Sequence, residues 1–275
     1  MPMKYENTPW GGECRRRFSD AFAEGGIPLP VLYIYESTDS TNTRAKLFAE
    51  GDESTEHAPV IFFAREQTGG RGTRGRAFES PTGGAYVSLL VYPEGSASDT
   101  LAITSLAAVA ARRALAALCP EVEVGIKWVN DLTVRDRKLG GILTEGRLAE
   151  GGGVDYAIVG IGINVRSAPH SDGVRAVMTS LEDEGAPVCA EQVGAAVARE
   201  LIRALPELGT EEIYEEYKSL STVVGRRVCV KDATGSYRAV AEDINRDLSL
   251  SVICEGGQKR TLISADVRVQ PDTDG

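Results

Sequence analysis

The stretch VEVGIKWVNDLTVRDRKLGGILTEGRLAEGGGVDYAIVGIGINV, residues 122–165, decides the architecture. It breaks into strand-like runs at residues 122–128, 132–135, 139–145 and 154–165, each bounded by turn formers. Asn130-Asp131 favours a turn, and Gly151, Gly152 and Gly153 mark another. The central part therefore reads as strand, tight turn, strand. Gly140 and Gly141 lie inside one run, where a second backbone or a ligand could come close.

Upstream, residues 31–36 and 60–64 read as strands. Residues 40–50 read as a helix that Ser40 or Asp39 can cap and Gly51 ends. Residues 66–84, rich in Gly, Arg, Thr and Ser, read as a long loop. The strongest helix is the alanine-rich segment 98–118, with Leu101, Leu106, Val109 and Leu118 on its apolar side. Residues 1–30 read as irregular apart from a short helix at 15–23. Downstream, helices are expected at 190–205 and 211–220. After Gly225 the texture changes to short β-branched runs at 227–231, 239–245, 250–254 and 261–263, with turns at Thr234-Gly235 and Gly256-Gly257. That spacing suggests a small all-β barrel of about 50 residues. The chain is thus divided into residues 1–224 and 225–275.

Composition narrows the function. The 275 residues are 42% hydrophobic and 25% charged, ordinary for a globular chain. No run of about 18 apolar residues is evident, and the N-terminus lacks a signal-peptide core, so no membrane span is expected and the location is read as cytoplasmic. The cysteines (Cys14, Cys119, Cys189, Cys229, Cys254) are odd in number and widely spaced, which favours free thiols over disulfides or zinc. His57 and His170 are the only histidines, and neither has ligand-like neighbours. A formal charge of −10 disfavours general nucleic-acid binding.

Against that acidity, Gly69-Gly70-Arg71-Gly72-Thr73-Arg74-Gly75-Arg76 stands out. Its four glycines expose backbone N–H groups, and its three arginines supply forked donors suited to phosphate or carboxylate. No Gly-Lys-Ser/Thr follows, so it is not a Walker loop. Three further motifs each admit a purely structural reading. Asp39-Ser40-Thr41-Asn42 could be a simple cap. Lys127-Trp128-Val129-Asn130-Asp131, followed by Arg137-Lys138-Leu139-Gly140-Gly141, could be a plain hairpin with Lys138 on the surface and Trp128 in the core. Gly160-Ile161-Gly162-Ile163-Asn164 could be a strand packed against a helix. Together they supply what is needed to hold a small polar ligand beside a polyphosphate.

In this order, the motifs resemble those of the biotin–protein ligase family. Its STN segment is similar to Ser40, Thr41 and Asn42. Its arginine-rich biotin loop is similar to residues 70–76, its KWPND and RKLAGIL segments to residues 127–131 and 137–143, and its GxGIN segment to residues 160–164. Three departures are visible: Thr73 for an arginine, Val129 for a proline, and Phe78-Glu79 where a tryptophan-containing segment is common.

The resemblance implies an α+β fold, with a mixed sheet flanked by helices and an SH3-like C-terminal barrel. It implies activation of biotin by ATP with Mg²⁺ to biotinyl-5′-AMP, then transfer to a lysine of a biotin carboxyl carrier protein. Lys138 and Arg71 are the expected catalytic residues. Ser40, Thr41, Asn42, Gln67, Arg71, Gly72, Thr73 and Lys138 are expected at biotin, and Arg74, Arg76, Asn130, Asp131 and Asn164 at the adenylate; the Mg²⁺ ligands are not identified. A homodimer is a family expectation. Only about 35 residues precede the STN helix, fewer than the roughly 60 of a helix-turn-helix domain, so no DNA binding is expected. The rival readings are a lipoate–protein ligase, a nucleic-acid-binding module using the Gly/Arg loop, and a catalytically silent biotin sensor.

Overall fold

The computed structural model describes residues 8–51, 58–93, 99–148, 150, 153–167 and 177–270. His57, His170, Ser98, Gly151 and Gly152 lie outside the described residues.

In chain order the main elements are α1 (Pro9–Glu24), β1 (Val31–Thr38), α2 (Thr41–Ala49), β2 (Val60–Gln67), β3 (Gly84–Val91), α3 (Asp99–Leu118), β4 (Gly125–Lys127), β5 (Asp131–Val134), β6 (Arg137–Leu148) and β7 (Val154–Asn164). Helices α4 (Ala190–Ala204) and α5 (Glu211–Ser219) follow, then strands β8 (Arg227–Asp232), β9 (Gly235–Ile244), β10 (Leu250–Cys254), β11 (Lys259–Leu262) and β12 (Asp266–Val269). The first seven strands form one sheet in the order β1-β2-β3-β7-β6-β5-β4. β1 and β2 run parallel with α2 between them, as a parallel pair requires of its connection, and the other neighbours are antiparallel. The expected mixed α+β sheet is present.

One sheet face carries α1, α3 and α4, with α5 packed on α3; α2 lies on the other face, against β2, β3 and β7. The two faces bury two apolar clusters. Residues such as Leu32, Val87, Leu106, Val159 and Leu201 fill the larger, while Tyr33, Phe62, Leu90 and Ile158 pack under α2. α3 is long and apolar enough to cross a bilayer, which the sequence reading had not found; here it is the central helix of the larger core.

Several expected elements change. β3, GAYVSLLV, was not expected; it is buried along its whole length, as the first five residues of β2 are. α1 is longer than the expected helix at 15–23: Thr8 caps it through Gly11 N–H, and Pro9 suits the first turn. β4 covers only three of the residues expected at 122–128. The C-terminal strands, including the unexpected β12, form a five-stranded antiparallel sheet ordered β11-β10-β9-β8-β12. β11 and β12 are its two ends, with no hydrogen-bonded pairing between them among the described residues, and the expected small all-β C-terminal unit is present.

That sheet is joined to the rest by packing and polar contacts. Val228, Val230, Leu250 and Val267 belong to the larger core cluster. The buried Trp128 donates its indole N–H to Leu248 O at 2.7 Å. Arg226 pairs with Asp136 in the β5–β6 turn at 2.6 Å, and Lys218 of α5 pairs with Asp243.

Candidate active site

The start of α2 meets the end of β2 on the small-cluster face of the sheet. Ser40 is the extended N-cap, but its hydroxyl makes no capping bond. The N–H of Thr41 goes instead to Gln67 Oε1 at 2.8 Å, and the Thr41 hydroxyl donates to the same oxygen at 3.1 Å. The side-chain amide at the end of β2 thus satisfies one of the free N–H groups of the first turn of α2. Asp39 accepts from Ser40 N–H at 2.7 Å and from Arg44 at 2.9 Å. Burial alone would raise its pKa; the Ser40 amide, the Thr38 hydroxyl and the Arg44 guanidinium outweigh burial and hold it below the usual value.

The polar network continues inward. Gln67 Nε2 donates to Ser80 Oγ at 2.9 Å, and Ser80 donates to Phe78 O at 2.9 Å. The fully buried Ser88 of β3 places its hydroxyl 2.7 Å from Thr41 Oγ1 and 2.6 Å from Asn42 Oδ1. Asn42 Nδ2 donates to Glu145 Oε2 at 2.8 Å and to Leu143 O at 3.3 Å. Among the described residues no buried side-chain polar atom lacks a partner. The glycines of β7 make this packing feasible. A Cβ on Gly160 would fall 2.2 Å from Asn42 Oδ1, and one on Gly162 would fall 2.6 Å from the Phe78 ring.

Lys138 stands at the other side of this floor. It is not the edge residue of a free hairpin. Its N–H donates to Val177 O at 2.8 Å and its carbonyl accepts from Thr179 N–H at 2.9 Å, while Thr133 of β5 pairs on the other side. A register shift between Leu132 and Thr133 changes the face parity of β6. Lys138 and Gly141 consequently share a face: a Cβ on Gly141 would lie 3.2 Å from Lys138 Nζ. The ammonium donates to Asp131 Oδ1 at 2.6 Å and sits 5.7 Å from the centre of the Phe78 ring.

The Gly/Arg loop closes the remaining side. It turns at Thr73–Gly75, with Arg74 (φ 59°) and Gly75 (φ 71°) in left-handed backbone and Gly72 N–H donating to Arg76 O at 2.7 Å. Its arginines are held by separate elements. Arg71 pairs with Glu145 at 2.7 Å, Arg74 donates to Ser264 Oγ at 2.7 Å, and Arg76 lies 3.6 Å from Asp266.

These elements enclose a cleft of about 740 Å³ including its open mouth. Of the residues expected from sequence, Ser40, Thr41, Asn42, Gln67, Arg71, Gly72, Thr73, Arg76, Asn130 and Lys138 line it. Arg74 and Asp131 line instead a smaller recess next door, under Ser264 and Asp266 of the C-terminal sheet, which Thr73, Arg76 and Asn130 share. Asn164 lines neither; its amide donates to Thr179 O and so steadies the segment bonded to Lys138. Asn130 is partly spent on structure, since Nδ2 donates to Ile142 O and its carbonyl accepts from Ile142 N–H. The sequence reading missed Tyr86 as a lining residue, and Ser80, Ser88 and Glu145 as members of the network. Phe78, noted there only as a departure, is the aromatic ring packed beside Lys138. A lone serine in an apolar run gives no signal in one sequence; Glu145 stood within an expected strand but had no motif to single it out.

Comparison with known proteins agrees with this geometry. The model of the biotin/lipoate A/B protein ligase family matches residues 34–164. A biotin–[acetyl-CoA-carboxylase] ligase of Paracoccus denitrificans is 31% identical over 236 residues, 83% of this chain and 95% of that protein. The enzyme of the same name from Mycobacterium tuberculosis is 28% identical over 264 residues, 92% of this chain and 94% of its own. In fold, the chain is similar to a biotin protein ligase from Aquifex aeolicus solved with biotin and ATP, with a TM-score of 0.72, 24% identity, and coverage of 87% of this chain and 99% of that one. This chain belongs to the biotin protein ligase family.

Proposed function

We propose that the protein joins biotin to ATP, giving biotinyl-5′-AMP and pyrophosphate, and then transfers the biotinyl group to a lysine of a biotin carboxyl carrier protein. One observation carries this reading: a single cleft combines an uncharged hydrogen-bonding floor with a cationic rim made by Arg71, Arg76 and Lys138. Biotin has the matching asymmetry, with a neutral ureido head and an anionic tail. The names of the relatives support the same assignment.

In the first step a carboxylate oxygen attacks the α-phosphorus and pyrophosphate leaves. The reactants are both anions, so catalysis rests on positioning and charge compensation. Lys138 is suited to that role because its backbone is bonded on both sides and Asp131 orients its ammonium. In the second step the carrier amine attacks the acyl carbon, AMP departs, and the amine loses its proton as the amide forms. Gln67, Ser40 and Thr41 are assigned to the ureido head, and Arg74, Arg76, Asn130 and Asp131 to the nucleotide side. Asn164 is assigned an indirect role through the 177–179 segment.

Mg²⁺ is expected with ATP. Among the described residues no cluster of three or more His, Cys, Asp or Glu side chains could hold an ion. With ATP bound, Mg²⁺ would sit on the nucleotide phosphates and offset their charge, and no side chain is assigned to it. Residues 1–224 are assigned to catalysis, with the C-terminal sheet bracing the loop through Ser264 and Asp266. A cytoplasmic setting suits the free thiols of all five cysteines.

The test is incubation with ATP, Mg²⁺ and biotin or lipoate, read by mass spectrometry. Biotinyl-adenylate should form and lipoyl-adenylate should not. Formation of neither, or of the lipoyl product alone, would overturn the assignment.

A further inference from the structure

Glu145 has no part in the roles assigned above, yet it joins the two halves of the cleft. Strand alternation puts it on the same face of β6 as Leu143, two residues earlier. Gly160 opposite Leu143 leaves the space that the Asn42 amide occupies. Asn42 can therefore reach both Leu143 O and Glu145 Oε2. The same carboxylate oxygen accepts from Arg71 Nη2 at 2.7 Å, across 74 positions of sequence. Glu145 is the one ion-pair partner of Arg71 among the described residues.

The arrangement is asymmetric. Arg71 lines the cleft and Glu145 does not. Among the described residues Arg71 Nη2 is the guanidinium nitrogen engaged, which leaves further donors for an anion in the cleft. The Glu145 and Arg71 side chains are 32% and 43% exposed, so the pair costs little desolvation and is easily shared with a bound anion.

We propose that Glu145 is a positioning residue: it ties Arg71 to the Asn42 end of α2 and aims the guanidinium at the carboxylate of the substrate. This rests on the biotin reading given above. A positioned arginine forms its charge-assisted bonds with less ordering to do, so the gain falls on the charged end of the ligand.

The test is calorimetric titration of the full chain with biotin and with neutral biotin amide. Glu145→Ala should weaken biotin about tenfold, the scale of one charge-assisted hydrogen bond. Biotin amide should lose less than about threefold. In an Arg71→Ala background the same substitution should change biotin affinity little, the signature of two residues acting as a unit. Glu145→Gln keeps an acceptor for both donors and should recover part of the loss; if the alanine variant fails to fold, it must still show the greater loss for biotin than for the amide. Equal losses for the two ligands, or an undiminished loss without Arg71, would reduce Glu145 to a structural role. Tighter biotin binding in Glu145→Ala would make it a competitor of the substrate anion. Either result overturns the proposal. No binding of biotin by the unmodified chain would refute the function itself, and this inference with it.

Discussion

The floor of the cleft and its rim solve different problems. In the floor, Thr41, Asn42, Gln67, Ser80 and Ser88 are already hydrogen-bonded to one another, inside a sheet whose glycines leave room for nothing larger. At the rim, Arg71 and Arg76 make partly exposed contacts with Glu145 and Asp266 from a loop with left-handed turns, and Lys138 pairs with Asp131. A ligand must match the floor by shape and hydrogen bonding, whereas the rim meets its charge. Shape and hydrogen-bond selection thus belong to the floor, and charge compensation to the rim.

The largest expected effect tests the rim. Lys138→Ala should slow biotinyl-adenylate formation by about 10²-fold or more, the scale of losing one preorganised donor at a reacting centre. Transfer from preformed biotinyl-adenylate should suffer less, because the phosphoryl step is complete. Single-turnover kinetics of the two half-reactions separates the cases; equal slowing of both would assign Lys138 to general positioning.

The next tests the rigidity of the floor. Gly160→Ala drives a methyl group into Asn42, and overpacking of this kind costs roughly 1–3 kcal/mol. Urea denaturation should report the loss, together with weaker biotin binding. Unchanged stability would mean that α2 can shift freely, contrary to a preformed floor.

Gln67→Ala removes both the acceptor for Thr41 and a ligand-facing amide, and should raise the biotin KM by about 1–3 kcal/mol equivalent. A KM equal to that of the unmodified chain would confine Gln67 to capping α2.

The smallest effect concerns the brace between the two sheets. The Arg226 guanidinium holds the Asp136 carboxyl below its ordinary value, against burial. A depressed carboxylate stabilises the fold above its unfolded pKa of about 3.9, and that contribution is lost as pH falls through the lower folded value. The pair is partly exposed, so its worth is a few tenths of a kcal/mol. Asp136→Asn should be slightly less stable at neutral pH, with the difference closing below about pH 4. A difference that persists in strong acid would have another cause.

Much of this was legible in sequence because it was written in unusual residues. Glycines 140, 141, 160 and 162, the loop arginines and Lys138 each depart from what a plain strand or loop needs. The mixed sheet followed less directly, through resemblance rather than periodicity, and that β1 and β2 are its parallel pair was not read from the sequence. β3 was missed although its apolar run resembles that of β2, which was read as a strand. The bulge that brings Lys138 beside Gly141 leaves no mark in composition. The contact of Gln67 with the first turn of α2 depends on which strand end meets that helix, a tertiary fact that local sequence does not carry. The order of the C-terminal strands, with β12 beside β8, depends on tertiary pairing that strand spacing does not determine.

The division between floor and rim is tested most directly by single-turnover adenylation measured against biotin concentration in Gln67→Ala and Lys138→Ala. The expected result is a split: Gln67→Ala shifts half-saturation about tenfold or more with the maximal rate nearly kept, while Lys138→Ala lowers the maximal rate with half-saturation nearly kept. If both substitutions move the same parameter by similar factors, floor and rim act as one unit and the separation of selection from chemistry is wrong.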